Sequence, residues 1–220
     1  MKKLLEKDGI LGLLEDGMTI MVGGFLGAGA PNRIMDLIAE SDLKDLTLIC
    51  NDTAFTEVGV GKLVVERKLK KVIASHIGTN KETGRQMNSG ELIVDLVPQG
   101  TLAERVRAGG AGLGGILTET GVGTIVENGK EKITVDGKTF LLETPLKADV
   151  AIIFGNIVDK KGNVFYKGSD RNFNPLMAAA AKKVIVEADE IVEIGEIKAE
   201  NIVTPSILVN HIVSGRQLDE

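Results

Sequence analysis

Short runs of aliphatic and β-branched residues recur along the chain, separated by glycine or proline turns and stretches with helical periodicity. Such runs span residues 18–22, 46–50, 71–76, 92–97, 149–154, 163–166, 184–186 and 207–213. They are almost continuously apolar rather than alternating, which suits strands buried on both faces. Strand and helix taken in turn predict an open, mostly parallel α/β sheet with helices on both faces. Pro31 sits where a helix would start, ahead of Ile34, Met35, Leu37 and Ile38, and proline at the first helical position loses no bonded N–H. Thr101 is read as an N-cap with Glu104 three residues on, a capping box. Asn174-Pro175 opens an alanine-rich helix read through Lys182. Residues 109–123 hold seven glycines, which argues against a regular helix there. Residues 124–126, 132–135 and 139–142 read as short strands, and Asn128-Gly129 and Asp136-Gly137 as tight turns. They predict a small antiparallel insert near 124–142. No repeat or linker divides the chain, so residues 1–220 are read as a single domain.

Several classes of function are disfavoured. The net charge is −5, so no global basic field draws nucleic acid or an anionic membrane. The single cysteine, Cys50, allows no disulfide within the chain and no cysteine-built metal site; it reads as a buried strand thiol. His76 and His211 have no carboxylate or cysteine at ligand spacing, so no metal is expected. The first residues are charged and no run approaches about 18 apolar residues, which predicts a soluble, cytoplasmic protein. No GxSxG elbow is present.

Four segments could carry chemistry. Residues 23–31, Gly-Gly-Phe-Leu-Gly-Ala-Gly-Ala-Pro, lie between a strand and a helix. Backbone N–H groups and a helix dipole there suit an anion, and a purely structural tight turn fits equally. The spacing is neither GxGxxG nor a P-loop. Gln99 lies at the C-terminal end of a predicted strand, the edge where open α/β sheets bind ligands. Its amide either donates to a carboxylate or oxyanion or simply caps the turn. The glycines from 108 to 123 make a bed for a long ligand, a lid or a crowded packing site. Finally, Ser169-Asp170-Arg171-Asn172-Phe173-Asn174 offers Arg171 to an anion, or is a surface turn with Asn174 as N-cap.

Taken in order, MVGGFLGAGAPNRI, IASHIGTNKETGRQM, VPQGTLAERVRAGGAGLGG, SDRNFNPLMAAAA and ENIVTPSILVNHIV resemble family I CoA-transferases over nearly the whole chain. The likeness is to the alpha subunit of the acetate and acetoacetate type. Asp170 departs from the alanine that many relatives carry. The resemblance implies the fold already predicted. It implies CoA binding by Gly24, Phe25, Leu26, Gly27, Ala28, Gly29 and Ala30, and an active site lined by Asn51 and Gln99, which hydrogen-bond an acyl oxygen or substrate carboxylate. It implies ping-pong transfer of CoA between short-chain acids through a glutamyl-CoA thioester, with CoA and acyl-CoA as substrates and no metal or prosthetic group. The nucleophilic glutamate of the family stands in a Ser-Glu-Asn-Gly setting in the beta half. Glu91, Glu119 and Glu143 do not match it. A beta subunit is therefore expected to complete the site, in the α2β2 assembly usual for the family. The alternatives are a sugar-phosphate isomerase or deaminase of a related fold, which would need its own general base and act alone, and a non-catalytic ligand-binding domain.

Overall fold

The structure, a computed structural model, describes residues 3–218. In chain order the first elements are β1 (Lys3–Leu4), α1 (Lys7–Leu11), β2 (Thr19–Val22), α2 (Asn32–Glu40), β3 (Leu46–Cys50), α3 (Val60–Val65), β4 (Leu69–Ala74), α4 (Lys81–Ser89), β5 (Ile93–Leu96) and α5 (Gln99–Ala111). An insert of β6 (Ile116–Thr118), β7 (Lys132–Val135) and β8 (Lys138–Glu143) follows. The chain then forms β9 (Ala148–Asp159), β10 (Val164–Phe165), α6 (Asn174–Ala179), β11 (Ala181–Val192), β12 (His211–Ser214) and α7 (Gly215–Leu218). None of the described helices is long and apolar enough to cross a membrane.

The main sheet runs β1-β12-β11-β9-β2-β3-β4-β5, and every neighbouring pair along it is parallel. Only β10 joins antiparallel, on β9. Because successive strand side chains point to opposite faces, each strand feeds two cores. Ile20, Leu48 and Val72 meet Ile34, Met35 and Ile38 of α2 and Leu63 of α3. Met21, Ile49 and Ile73 meet Leu102 and Val106 of α5 and Met177 of α6 on the other side. Fully burying one such side chain contributes roughly 1.5–3 kcal/mol, so covering both faces is what the continuous apolar runs require.

The local expectations hold in part. Pro31 stands just before α2, as its N-cap. The capping box does not form: α5 begins at Gln99 with Pro98 as N-cap, and Thr101 is already inside the helix and buried. The helix also runs into the glycine-rich stretch as far as Ala111. Gly109 is there for close approach, since a Cβ on it would lie 1.9 Å from the Leu146 carbonyl oxygen. The insert is antiparallel, but its third strand is β6, not residues 124–126. Ile125–Glu127 is a 3-10 turn because Thr124 Oγ1 accepts from the Val126 N–H, a local bond that competes with a ladder. Similarly, α6 stops at Ala179, and Lys182 lies in β11. Pairing along the length of β9, from Ala181 opposite Ala148 to Val192 opposite Asp159, overrides the helix propensity of Ala and Lys.

Candidate functional site

The strand order reverses direction between β2 and β9. From β2 the chain builds outward through β3, β4 and β5; β9, β11 and β12 extend the other way. Open α/β sheets form their ligand crevice at such a switch point, beyond the C-terminal strand ends. Five segments converge on this edge: residues 23–30 after β2, Asn51 and Asp52 after β3, Ser75 and His76 after β4, Gln99 after β5, and 168–174 beyond β9 and β10.

The glycine-rich loop is bolted down from two sides. Asn172 Oδ1 accepts from the Gly24 N–H at 2.9 Å, and its Nδ2 donates to the Ala28 carbonyl at 3.2 Å. Buried Asn174 donates to the Gly29 carbonyl at 2.9 Å and accepts from the Phe154 N–H at 3.0 Å. A Cβ on Gly23 would fall 1.8 Å from Asn174 Oδ1, so glycine there is what lets Asn174 reach across. Within the loop Phe25 and Ala28 exchange backbone bonds. The Leu26 N–H donates to Asp52 at 3.2 and 3.1 Å. Most of the amides that the sequence suggested for an anion therefore serve the protein itself. The Phe25 ring stays 49% exposed on the crevice rim. The first turn of α2 is likewise occupied: the Ile34 N–H donates to Glu187 Oε2 at 2.9 Å, and Arg33 lies 3.6 Å from Glu187 Oε1. Burial pushes the Glu187 carboxyl up to about 7, against the opposing pull of the Ile34 N–H and Arg33.

Asn51 and Gln99 are brought together. Gln99 Nε2 donates to Asn51 Oδ1 at 2.6 Å, and Asn51 Nδ2 donates to Asp52 Oδ2 at 2.7 Å. Ser75 Oγ lies 2.7 Å from the Asn51 carbonyl oxygen and also donates to Gln99 Oε1. The pair divides by burial: Asn51 is 1% exposed, whereas Gln99 faces solvent. An exposed primary amide held on both its atoms keeps one unused N–H, a neutral donor at the sheet edge. Ser75 and Asp52 were not singled out in the sequence, since a Ser-His and an Asn-Asp pair at two strand ends carry no local signal.

The remaining candidates take no part in the amide chain. Arg171 is exposed in the 3-10 turn Gly168–Arg171. Asp170, the family departure, accepts from Asn156 Nδ2 at 2.9 Å. Cys50 is buried, and burial followed by the Asp52 charge raises its thiol well above the usual range. No cluster of metal-ligating side chains occurs among the described residues. A cleft of about 690 Å³ lies between α2 and α3, lined by Asp36, Glu40, Lys62 and Lys68; it shares no residue with the amide network.

Known proteins resemble this chain over nearly its whole length. The family model for coenzyme A transferase matches residues 8–215. The acetate CoA-transferase subunit alpha of Escherichia coli strain K12 is 56% identical, covering 98% of this chain and 98% of that protein. The acetoacetyl-CoA:acetate/butyrate CoA transferase alpha subunit of Clostridium acetobutylicum is 51% identical over 96% of this chain and 97% of its own length. In three dimensions, an acyl-CoA transferase of E. coli O157:H7, solved as a thioester complex with CoA, superposes with a TM-score of 0.86 at 19% identity. That match covers 97% of this chain and 47% of the solved one, so this chain spans about half of that protein's length.

Proposed function

The chain belongs to the coenzyme A transferase family, and from that premise we propose that it is the alpha half of an enzyme that moves CoA between short-chain carboxylic acids, with a beta subunit supplying the nucleophile. The observation that carries this reading is the Gln99–Asn51 amide pair at the switch-point edge, with one unused N–H on exposed Gln99 and the carboxylate bonded to the pair, Asp52, buried. Acetate and acetoacetate or butyrate, named in the relatives, are the proposed acids, and α2β2 is the proposed assembly.

In the proposed sequence a glutamate carboxylate of the partner attacks the thioester carbonyl of acyl-CoA. The C–S bond breaks, leaving an acyl-glutamyl anhydride and CoA thiolate. The thiolate attacks the glutamyl carbonyl of the anhydride, releasing the first acid as carboxylate and leaving a glutamyl-CoA thioester. The second carboxylate runs the same steps in reverse. This covalent route keeps the thioester energy in the product, and no step needs a net proton, metal or prosthetic group. Each addition places negative charge on a carbonyl oxygen. A preorganised neutral N–H meets that charge without adding a cation that would hold the carboxylate substrate too tightly. Gln99 is proposed for that role, Asn51 holds Gln99, and Gly24–Ala30 with the Phe25 ring supplies the surface along which the coenzyme lies.

The test is co-expression with the beta subunit and measurement of acetyl-CoA formation from butyryl-CoA and acetate. The pair is expected to transfer CoA with ping-pong kinetics, and this chain alone is expected to transfer none. Full transfer by the lone chain, or none by the assembled pair on any short-chain acyl-CoA, would refute the assignment.

A further inference from the structure

Asp52 receives and never gives. Its carboxylate is 4% exposed and accepts from three donors: the Leu26 N–H, the Ala54 N–H at 2.8 Å and Asn51 Nδ2 at 2.7 Å. Leu26 and Ala54 both stand in the left-handed region, at φ 50° and 51°. A non-glycine residue is held there only where its surroundings fix it. Asp52 thus holds the turn of the glycine-rich loop and the turn after β3 on one carboxylate, and the amide chain to Gln99 begins on that same group.

The rest of that chain has no direction of its own. The two ends of a primary amide have nearly the same shape, one donating and one accepting. Ser75 lies between the Asn51 carbonyl and Gln99 Oε1, and its single hydroxyl proton can turn to either. Run one way, Ser75 gives to Gln99, Gln99 to Asn51 and Asn51 to Asp52. Run the other way, Asn51 Nδ2 gives to Gln99, Gln99 Nε2 to Ser75, and Ser75 to the Asn51 carbonyl. The reversed arrangement would turn the side-chain oxygen of Asn51, Oδ1, onto Asp52 Oδ2, oxygen against oxygen at 2.7 Å. A carboxylate forbids it.

We propose that Asp52 is a positioning residue: it sets the direction of the Asp52–Asn51–Gln99–Ser75 chain, and so decides where the unused Gln99 N–H meets the substrate carbonyl. The proposal deepens, and rests on, the CoA-transfer reading of the same edge. With an amide at position 52 whose oxygen stays with the Leu26 and Ala54 N–H groups, its nitrogen takes the place of Oδ2 and faces Asn51, so Asn51 must turn its side-chain oxygen to it, the chain runs in reverse and the unused Gln99 N–H moves to the other end of its amide. Loop binding of the coenzyme persists, because an amide oxygen still accepts from Leu26 and Ala54.

The experiment uses the assembled two-subunit enzyme with butyryl-CoA and acetate. Asp52→Asn is expected to lower kcat about tenfold or more, with KM for butyryl-CoA within about threefold and the thermal midpoint unchanged. The exchange Asn51→Asp with Asp52→Asn returns a carboxylate to the chain, now receiving directly from Gln99 Nε2. It is expected to restore kcat to within about threefold of wild type, which a packing defect would not do. Unchanged kcat in Asp52→Asn, or no recovery in the exchange, overturns the proposal. A neutron crystal structure of the assembly reads the direction whatever the activity, from the deuterons on Asn51 Nδ2 and Gln99 Nε2. They are expected toward Asp52 and Asn51 in wild type, and toward Gln99 and Ser75 in Asp52→Asn. One fixed direction in both proteins sinks the proposal. The expected directions together with an inactive wild-type assembly would sink only the CoA-transfer reading.

Discussion

Glu187 shows at the level of one residue how the helix end beside the crevice is settled. Its carboxyl is 1% exposed on β11 and takes the Ile34 N–H, so the dipole of α2 meets a protein acid rather than a ligand. Burial raises the group from the ordinary 4.5 to about 7 in the folded chain. Between those values the native state binds more protons than the unfolded one, so stability falls as pH rises through the window. A shift of this size corresponds to roughly 3 kcal/mol at most. Urea unfolding at pH 5 and pH 7.5 is expected to show that loss, and Glu187→Gln is expected to flatten it while keeping an acceptor for Ile34. An unchanged slope in the variant would place the titration elsewhere. At the crevice itself, Gln99→Ala in the assembled enzyme is expected to lower kcat by about a hundredfold, the usual cost of one oxyanion donor; unchanged kinetics would remove Gln99 from the site. Gln99 and Asn51 were legible as candidates, Gln99 within a long segment that resembles the family and Asn51 at the end of the second strand. Asp52 and Ser75 were not, because the bonds that tie Asp52 to Leu26 and Ser75 to Gln99 span 26 and 24 residues and form only once parallel strands align their ends.

Among the elements, strands were easier to read than helices, for a physical reason. A strand buried on both faces must be apolar throughout, and Leu46–Cys50 was legible to the residue. The helices α3 and α4 gave no such signal. One is six residues of Val-Gly-Lys-Leu-Val-Val, and the other is polar with a central glycine and is capped by Asn80. Glycine misled in both directions. Gly84 inside α4 has open space around its missing side chain, whereas Gly109 inside α5 is pressed against Leu146. Gly84→Ala is therefore expected to stabilise the chain by about 1 kcal/mol through helix propensity. Gly109→Ala is expected to destabilise it by about 1–3 kcal/mol, since the obstruction is backbone and overpacking outweighs the propensity gain. Thermal midpoints moving in opposite directions confirm the pair. If both rose, the close approach of α5 to Leu146 would not be obligatory.

At the scale of the whole molecule, the sheet-and-helix architecture followed from the run pattern, and so did the strand edge where the candidate residues meet. What sequence reading did not supply was the internal use of the site's own donors. The glycine-rich loop spends Gly24, Phe25, Leu26 and Ala28 N–H groups on Asn172, Asp52 and itself, so it enters an assembly already rigid. Phe25 within the loop stands half exposed, at 49%. A crevice that already spends most of its loop donors internally but leaves Phe25 exposed is suited to closure by a second chain, with little rearrangement of the first. Hydrogen exchange on this chain, alone and with the beta subunit, tests that view. The bonded amides of Gly24 and Leu26 are expected to be protected already in the lone chain, because Asn172 and Asp52 hold them without help. Gly27 and Gly29, whose N–H groups find no partner among the described residues, are expected to exchange quickly until partner and coenzyme cover them. Fast exchange across the entire loop in the lone chain would mean that the partner organises the site, and that the bonds to Asn172 and Asp52 follow assembly instead of preparing it.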